Sequence, residues 1–324
     1  MSAATATAGH SRLVHFPITF FATIMGLAGF TLAVRAAERA FGTGNTASHV
    51  LLAASLVALA AVGGLYGLKA LRQWPAVFAE WHHPVRLAFF PTVSVSLLLI
   101  AVAMLQDWPR AAFGFWAAGT LLQAVLTIAV ISGWIGTRSF QHGHLNPAWF
   151  IPAVGNVIVP VAGAQMGYVE ISYLFFSAGI VFWLVLLTLV FNRLVFHDPL
   201  PGRLQPTLVI LIAPPAVAFI AWVRMQGGVD PFAHLLLSVA YVFAVLVLVQ
   251  APRILRLPFA LSFWALSFPL AALTIASFLY AEKAESVVHR GIGLGLLALL
   301  AVVIAALVGR TALAVMRGEI CQPE

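Results

Sequence analysis

The chain has 324 residues, of which 62% are hydrophobic and 8% charged, with a mean hydropathy of +1.02. Soluble domains carry about a quarter charged residues, so this composition excludes a water-soluble globule, a secreted disulfide scaffold and a disordered tail, and leaves an integral membrane protein. Seventeen Lys+Arg against ten Asp+Glu give +7, but the basic residues stand singly at the ends of apolar runs, which sets aside nucleic acid as a partner and leaves membrane lipid.

After an N-terminal segment (1–15), the first span is predicted over about 16–34. It opens on Phe16-Pro17-Ile18 and carries Ala22, Gly26, Gly29 and Ala33 at i, i+4, i+7 and i+11. That small-residue stripe serves either close helix packing or a pore-facing wall. Arg12 ahead of it and Ala33, Ala36 and Ala37 behind it imitate a signal peptide, but the apolar run is too long for one. The second span is predicted over about 50–71 and the third over about 86–105, with Phe90-Pro91, Thr92 and Ser94 near its start. The fourth covers about 111–135, the fifth about 147–168 with Pro152, Asn156 and Pro160, and the sixth about 170–193. The seventh, about 206–223, holds Thr207, Pro214 and Pro215; the eighth covers about 232–251. The ninth, about 258–280, holds Ser262, Trp264, Ser267 and Phe268-Pro269, and the tenth runs over about 290–315 before a tail (316–324) with the lone cysteine, Cys321.

Sorting the charges by side puts eleven of the seventeen basic residues, Arg138 among them, with both termini, for net charges of +7 and 0 on the two sides. The positive-inside rule makes the termini cytoplasmic, as in a bacterial inner (plasma) membrane. Proline carries more information. Pro17, Pro91, Pro152, Pro214 and Pro269 recur at intervals of 74, 61, 62 and 55 residues on the odd spans, whereas the even spans as drawn hold none. A kinked helix followed by a straight one, five times over, predicts an all-α polytopic protein of ten helices as five hairpins in a pseudo-five-fold arrangement. The kinked helices should line a central pore, because freed backbone groups are tolerated in a bilayer only against protein or a wet cavity.

No ionisable residue stands at the middle of a predicted span; Lys69, Arg86, Glu170 and His234 fall at span ends, where side chains reach the interface. This argues against proton-driven carriers and intramembrane hydrolases and favours a passive pathway. His82-His83 and His142-Gly-His144 lie in loops without Cys or acidic companions, so no metal site, cofactor or catalytic constellation is expected. Polar side chains on the odd spans (Thr23, Thr92, Ser94, Asn156, Thr207, Ser262 and Ser267) are candidates for weak contacts with a passing anion, although Ser or Thr bonded back to its own helix is the commoner fate.

Phe16-Pro17-Ile18 with Gly26-Leu27, His83-Pro84-Val85-Arg86 with Phe89-Phe90, Val154-Gly155-Asn156, Ala213-Pro214-Pro215 with Ala221-Trp222, and Trp264 through Phe268-Pro269 occur in that order. In this succession the chain resembles the tellurite-resistance and C4-dicarboxylate transporter family, which includes the bacterial TehA proteins and the slow anion channels of plant guard cells. The resemblance implies a homotrimer, each protomer with its own pore lined by the odd helices, and a Phe on the ninth helix as the gate. Alignment through Trp264 and Phe268-Pro269 puts that role on Phe268. From the residues alone a Phe beside a proline is more often packing, and Phe16-Pro17 and Phe90-Pro91 share the pattern. Around the gate, Ala22, Gly26, Phe90 and Pro214 join the polar residues as gate-facing or pore-lining candidates; the family commonly has Gly where this chain has Ala22. The resulting expectation is a channel for permeant small anions such as chloride or nitrate. The alternatives are a carrier or exporter of C4-dicarboxylates (malate) or tellurite, and a membrane enzyme or sensor acting through its loops.

Overall fold

The computed structural model describes residues 12–136 and 140–321. Residues 1–11, 137–139 and 322–324 lie outside it, and with them most of the predicted N-terminal segment, the end of the tail, and Arg138 and Glu324 from the charge count. Every regular element among the described residues is helical. In chain order the α-helices are α1 (Phe21–Phe41), α2 (Thr46–Arg72), α3 (Trp74–His82), α4 (Thr92–Met104), α5 (Pro109–Gly136), α6 (Phe150–Gly163), α7 (Val169–Phe196), α8 (Ala213–Gln226), α9 (Pro231–Ile254), α10 (Ser267–Lys283) and α11 (Val287–Met316). Nine helical stretches among the described residues are long and apolar enough to cross a membrane; a tenth, Pro147–Gly163, is shorter.

The odd and even spans differ in construction. Each even span is one continuous α-helix. Each odd span begins as a 3-10 helix and changes to α: Ile18–Phe20 leads into α1, Arg86–Phe89 into α4, Pro147–Trp149 into α6, Gly202–Ile212 into α8 and Leu261–Leu266 into α10. The repeating prolines mark this changeover. Pro91 precedes α4, while Pro152, Pro214, Pro215 and Pro269 fall in the first turn of their α stretches, where a missing N–H costs little. Hydroxyls finish the joints. Thr23 donates to the Phe20 carbonyl at 2.7 Å, Thr92 to Phe89 at 2.5 Å, Ser94 to Pro91 at 2.9 Å and Ser267 to Trp264 at 2.6 Å.

The odd spans pack in a closed ring. α1 lies against α4, α4 against α6, α6 against α8, α8 against α10, and α10 returns to α1. Each even helix packs on the odd span before it, giving the five predicted hairpins. The inner spans are accordingly buried within the protein, with all fourteen residues of α6 buried, whereas at most a third of the most apolar stretch of each even span is buried. Leu, Val and Ile fill that outward surface, as lipid contact requires. Arg12 comes within 3.4 Å of the position of a Gly318 Cβ, so the two ends of the described chain meet on one side.

Several sequence expectations change. The eighth span is longer than predicted and contains Pro252 in its last turn; Pro109 and Pro231 open the fourth and eighth, so the even spans are not free of proline. The fifth span ends at Gly163 rather than 168, and a turn with Gly167 at φ +88° follows. Protein surrounds α6 on all sides, so its backbone has no need of a full bilayer length. Residues 74–82, read as loop, form the short helix α3. Lys69, expected to reach the interface, is buried instead. Its Nζ lies 3.0 Å from Glu80 Oε2 and donates to the Phe16 carbonyl at 2.8 Å, while Tyr66 donates to the same carboxylate at 2.9 Å. Glu80 also accepts from the Ile18 N–H, so α3 ties the start of the first span to the second.

A second polar knot lies between α4, α5 and α6. Gln123 accepts from Ser94 at 2.6 Å and donates to the Pro152 carbonyl at 2.9 Å and to Thr127 at 3.0 Å; Asn156 donates to Thr127 and to the Pro152 carbonyl. Gly155 makes room for it, since a Cβ there would stand 2.4 Å from the Gln123 amide. Replacing Gln123 with Leu removes its bonds to Ser94, Thr127 and the Pro152 carbonyl, although Ser94 keeps the Pro91 carbonyl and Pro152 keeps Asn156. The expected loss is about 1–3 kcal/mol, read as a lower thermal unfolding midpoint of the solubilised protein.

Candidate pore and its occluding ring

The ring of odd spans encloses two cavities that meet at two side chains. The first is on the side of the chain termini, and the second is on the opposite side. Phe268 and Ile158 line both. Phe268 is 6% exposed and sits at the second position of α10, just past the 3-10 joint, with Pro269 behind it. The first span accommodates it closely. A Cβ on Gly29 would lie 3.3 Å from Phe268 Cδ2 and 3.0 Å from the Ala271 methyl, and one on Gly26 would lie 2.3 Å from Ser267 Oγ and 2.9 Å from Trp264. The stripe therefore serves close packing of the first and ninth spans, and in doing so seats the ring.

The termini-side chamber has a distinctive wall. Ala22, Thr92, Ile151, Ala213 and Phe268 are each the first or second residue of the α stretch of their span, and all five line it. Five helix N-termini thus face one apolar chamber. Four of the five 3-10 leads are only three to six residues long, and no charged side chain lines the chamber. Such a chamber holds no fixed charge to trap a passing ion.

The opposite chamber differs. Its inner wall is aliphatic, but Arg35, Arg39 and Arg224, with Gln106 and Gln165, line its outer part. Arg35 is buried and held by Asp107 at 2.7 Å, by the Ser48 hydroxyl and by the Ala103 carbonyl. Burial pushes the Asp107 carboxyl up, but its bonds with His49 and Arg35 outweigh this and hold it below the usual carboxylate range. Sequence reading counted these arginines as span-end charges and missed their role as a wall. The signal was available in Arg35 and Arg39, which at i and i+4 share a helix face.

The remaining candidates fall away from the chambers. Thr23 and Ser94 are buried and bonded within the protein, Asn156 faces α5, and Thr207 donates to the Leu204 carbonyl at 2.6 Å. Ser267 faces Gly26. Phe90 packs edge-on against Trp81 at 4.9 Å, Pro214 is buried at the joint of α8 and lines neither cavity, and the Ser262 hydroxyl is buried without a partner among the described residues. Of the polar candidates only Thr92 reaches a chamber, and its hydroxyl is engaged by Phe89. The loop histidines gather into no group of three metal-ligating side chains among the described residues; His142 stacks on His197 at 4.7 Å.

The Gly26 contact yields a direct test. Gly26→Ala must push the first and ninth spans apart, with an expected loss of about 1–3 kcal/mol in thermal unfolding, whereas Gly63→Ala on the outer face of α2, where nothing lies within 4 Å, should leave stability unchanged.

A family model described as voltage-dependent anion channel (SLAC1) matches residues 15–312. The chain is 29% identical over 286 residues to the S-type anion channel SLAH2 of Arabidopsis thaliana, covering 85% of this chain and 54% of that one. It is 28% identical to the uncharacterized transporter MJ0576 of Methanocaldococcus jannaschii, over 67% of this chain and 70% of the relative. The tellurite resistance protein TehA homolog of Haemophilus influenzae is 28% identical, with 79% of each chain covered. The chain thus spans about half the length of the plant relative and more of the prokaryotic ones. The match takes in all ten helical spans of the ring and its outer layer, and the chain belongs to the SLAC1 voltage-dependent anion channel family.

Proposed function

We propose that this protein is a passive channel for monovalent anions such as chloride or nitrate, conducting through the centre of the five odd spans, with the Phe268 ring as its occlusion. The observation that carries the reading is the convergence of five helix N-termini on an apolar chamber closed by that ring. Dipoles attract the anion, the absence of a charged side chain in this chamber lets it leave, and an apolar ring across the path stops flow by excluding water. The relatives named as anion channels support the same reading. Transport rather than catalysis is the activity, and no cofactor enters it.

The same reading sets the surroundings. The protein lies in a plasma membrane, the inner membrane of a bacterium, with the termini cytoplasmic, since the basic residues are concentrated on that side. The positive face then gathers anions at the inner mouth. Its outward-facing aliphatic helices meet lipid and, in a homotrimer, one another.

The experiment is current through Phe268→Ala beside the unmutated protein in planar bilayers under a chloride gradient. Removing the ring should raise conductance roughly tenfold or more, with a reversal potential near that for chloride, and Phe268→Leu should fall between. Silence from both proteins, together with saturable, pH-dependent uptake of radiolabelled malate, would overturn the channel in favour of a carrier.

A further inference from the structure

The chamber on the side opposite the termini is more than a continuation of the path. Twelve of its lining side chains are apolar, running from Phe268 and Ile158 outward past Ile220 and Ile275. Its cationic part lies at the far end. Gly29 is level with the Phe268 ring, and Arg35 and Arg39 stand six and ten residues further along the same helix, about 9 and 15 Å away.

The three guanidiniums are not equivalent. Asp107 neutralises Arg35, and the Ser48 hydroxyl and Ala103 carbonyl occupy its remaining donors. Arg39 and Arg224 make no ion pair or hydrogen bond among the described residues. The carboxylate within electrostatic reach of both is Glu282, exposed at the end of α10 and absent from the chamber wall. Arg39 and Arg224 thus present two forks of free donors to the chamber, with the Glu282 carboxylate outside its wall. A monovalent chloride would use the charge but none of the apolar wall. An anion that satisfies both has one carboxylate and a hydrocarbon chain.

We propose that this chamber binds a linear aliphatic monocarboxylate, its carboxylate taken by Arg39 and Arg224 and its chain lying along the apolar wall down to Phe268. Bound there, it stoppers the pathway from the side opposite the termini. That consequence rests on the channel reading; the binding itself does not.

Octanoate is the probe, titrated by calorimetry against the full chain in phosphatidylcholine nanodiscs. Saturable binding is expected for octanoate and not for acetate, which lacks the chain, or octanol, which lacks the charge. Arg39→Gln with Arg224→Gln should weaken it roughly tenfold or more, while the paired Lys variants retain most of it. Both sites lack hydrogen bonds to other residues, and an unchanged unfolding midpoint shows that the variants are folded. Should the double Gln variant fail to fold, Ile275→Asp, which places a carboxylate in the half-buried apolar wall, must also abolish binding. Equal affinity in the Gln or Asp variants, or octanol binding as well as octanoate, would overturn the proposal. In the Phe268→Ala channel, octanoate should block current, and Arg39→Gln with Arg224→Gln should relieve the block. A protein that binds octanoate as described but conducts nothing would overturn the channel reading and leave this site standing; one that conducts and does not bind would overturn the site alone.

Discussion

A backbone inside a bilayer has no water to satisfy it, and this constraint organises the whole molecule. Ten spans of continuous α-helix would meet it trivially, but five of them contain a 3-10 to α joint with proline at or beside it in four. Such joints leave ladder groups short of partners and survive only where protein surrounds them. Sequestering all five behind an outer layer of uninterrupted helices meets the requirement, and a closed ring is the packing that results. The buried hydroxyls of Thr23, Thr92, Ser94 and Ser267 belong to the same solution, each donating to a carbonyl three residues back at the joint.

The joints also set the electrostatics. Because each α stretch begins partway along its span, five helix N-termini arrive at the wall of an internal chamber rather than at the membrane surface. Partial charges from backbone need no counterion and no desolvation of a side chain, unlike a buried arginine. The opposite chamber shows the contrast. There the charge is carried by side chains, and one of them, Arg35, is fixed by a carboxylate, a hydroxyl and a backbone carbonyl before it can be buried. The two chambers share Phe268 and Ile158, so the ring stands between a compartment without charged side chains and one with arginines in its wall.

Much of this was legible in the sequence, and the failures have physical causes. The interval between prolines revealed five hairpins because proline is costly in a helix interior and is retained where the fold uses it. Three Phe-Pro pairs, however, look alike in sequence and differ in space. Phe16 stacks on Phe20 at 4.4 Å, Phe90 packs on Trp81, and Phe268 alone lies between the chambers. Residue type distinguishes none of them, so only the family resemblance singled out Phe268. The polar residues were legible as unusual but not in their role, because a hydroxyl that completes a joint and one that lines a pore have the same neighbours in sequence. Gln123 went unnoticed on an outer span although it holds three spans together. Lys69 reads as an interfacial charge because α3, which brings Glu80 to it, is too short and too aromatic to show helical periodicity.

The central claim is that one ring divides a single pathway into two compartments, and side-specific cysteine modification measures this without reference to which anion flows. With Cys321 replaced by Ser, single cysteines at Ala265 and Ile275 stand on the two sides of Phe268, one on each chamber wall. A membrane-impermeant methanethiosulfonate should reach position 265 from the termini side alone and position 275 from the opposite side alone, and Phe268→Ala should open each to both. Reaction from both sides with Phe268 in place, or protection that persists when the ring is removed, would contradict the account.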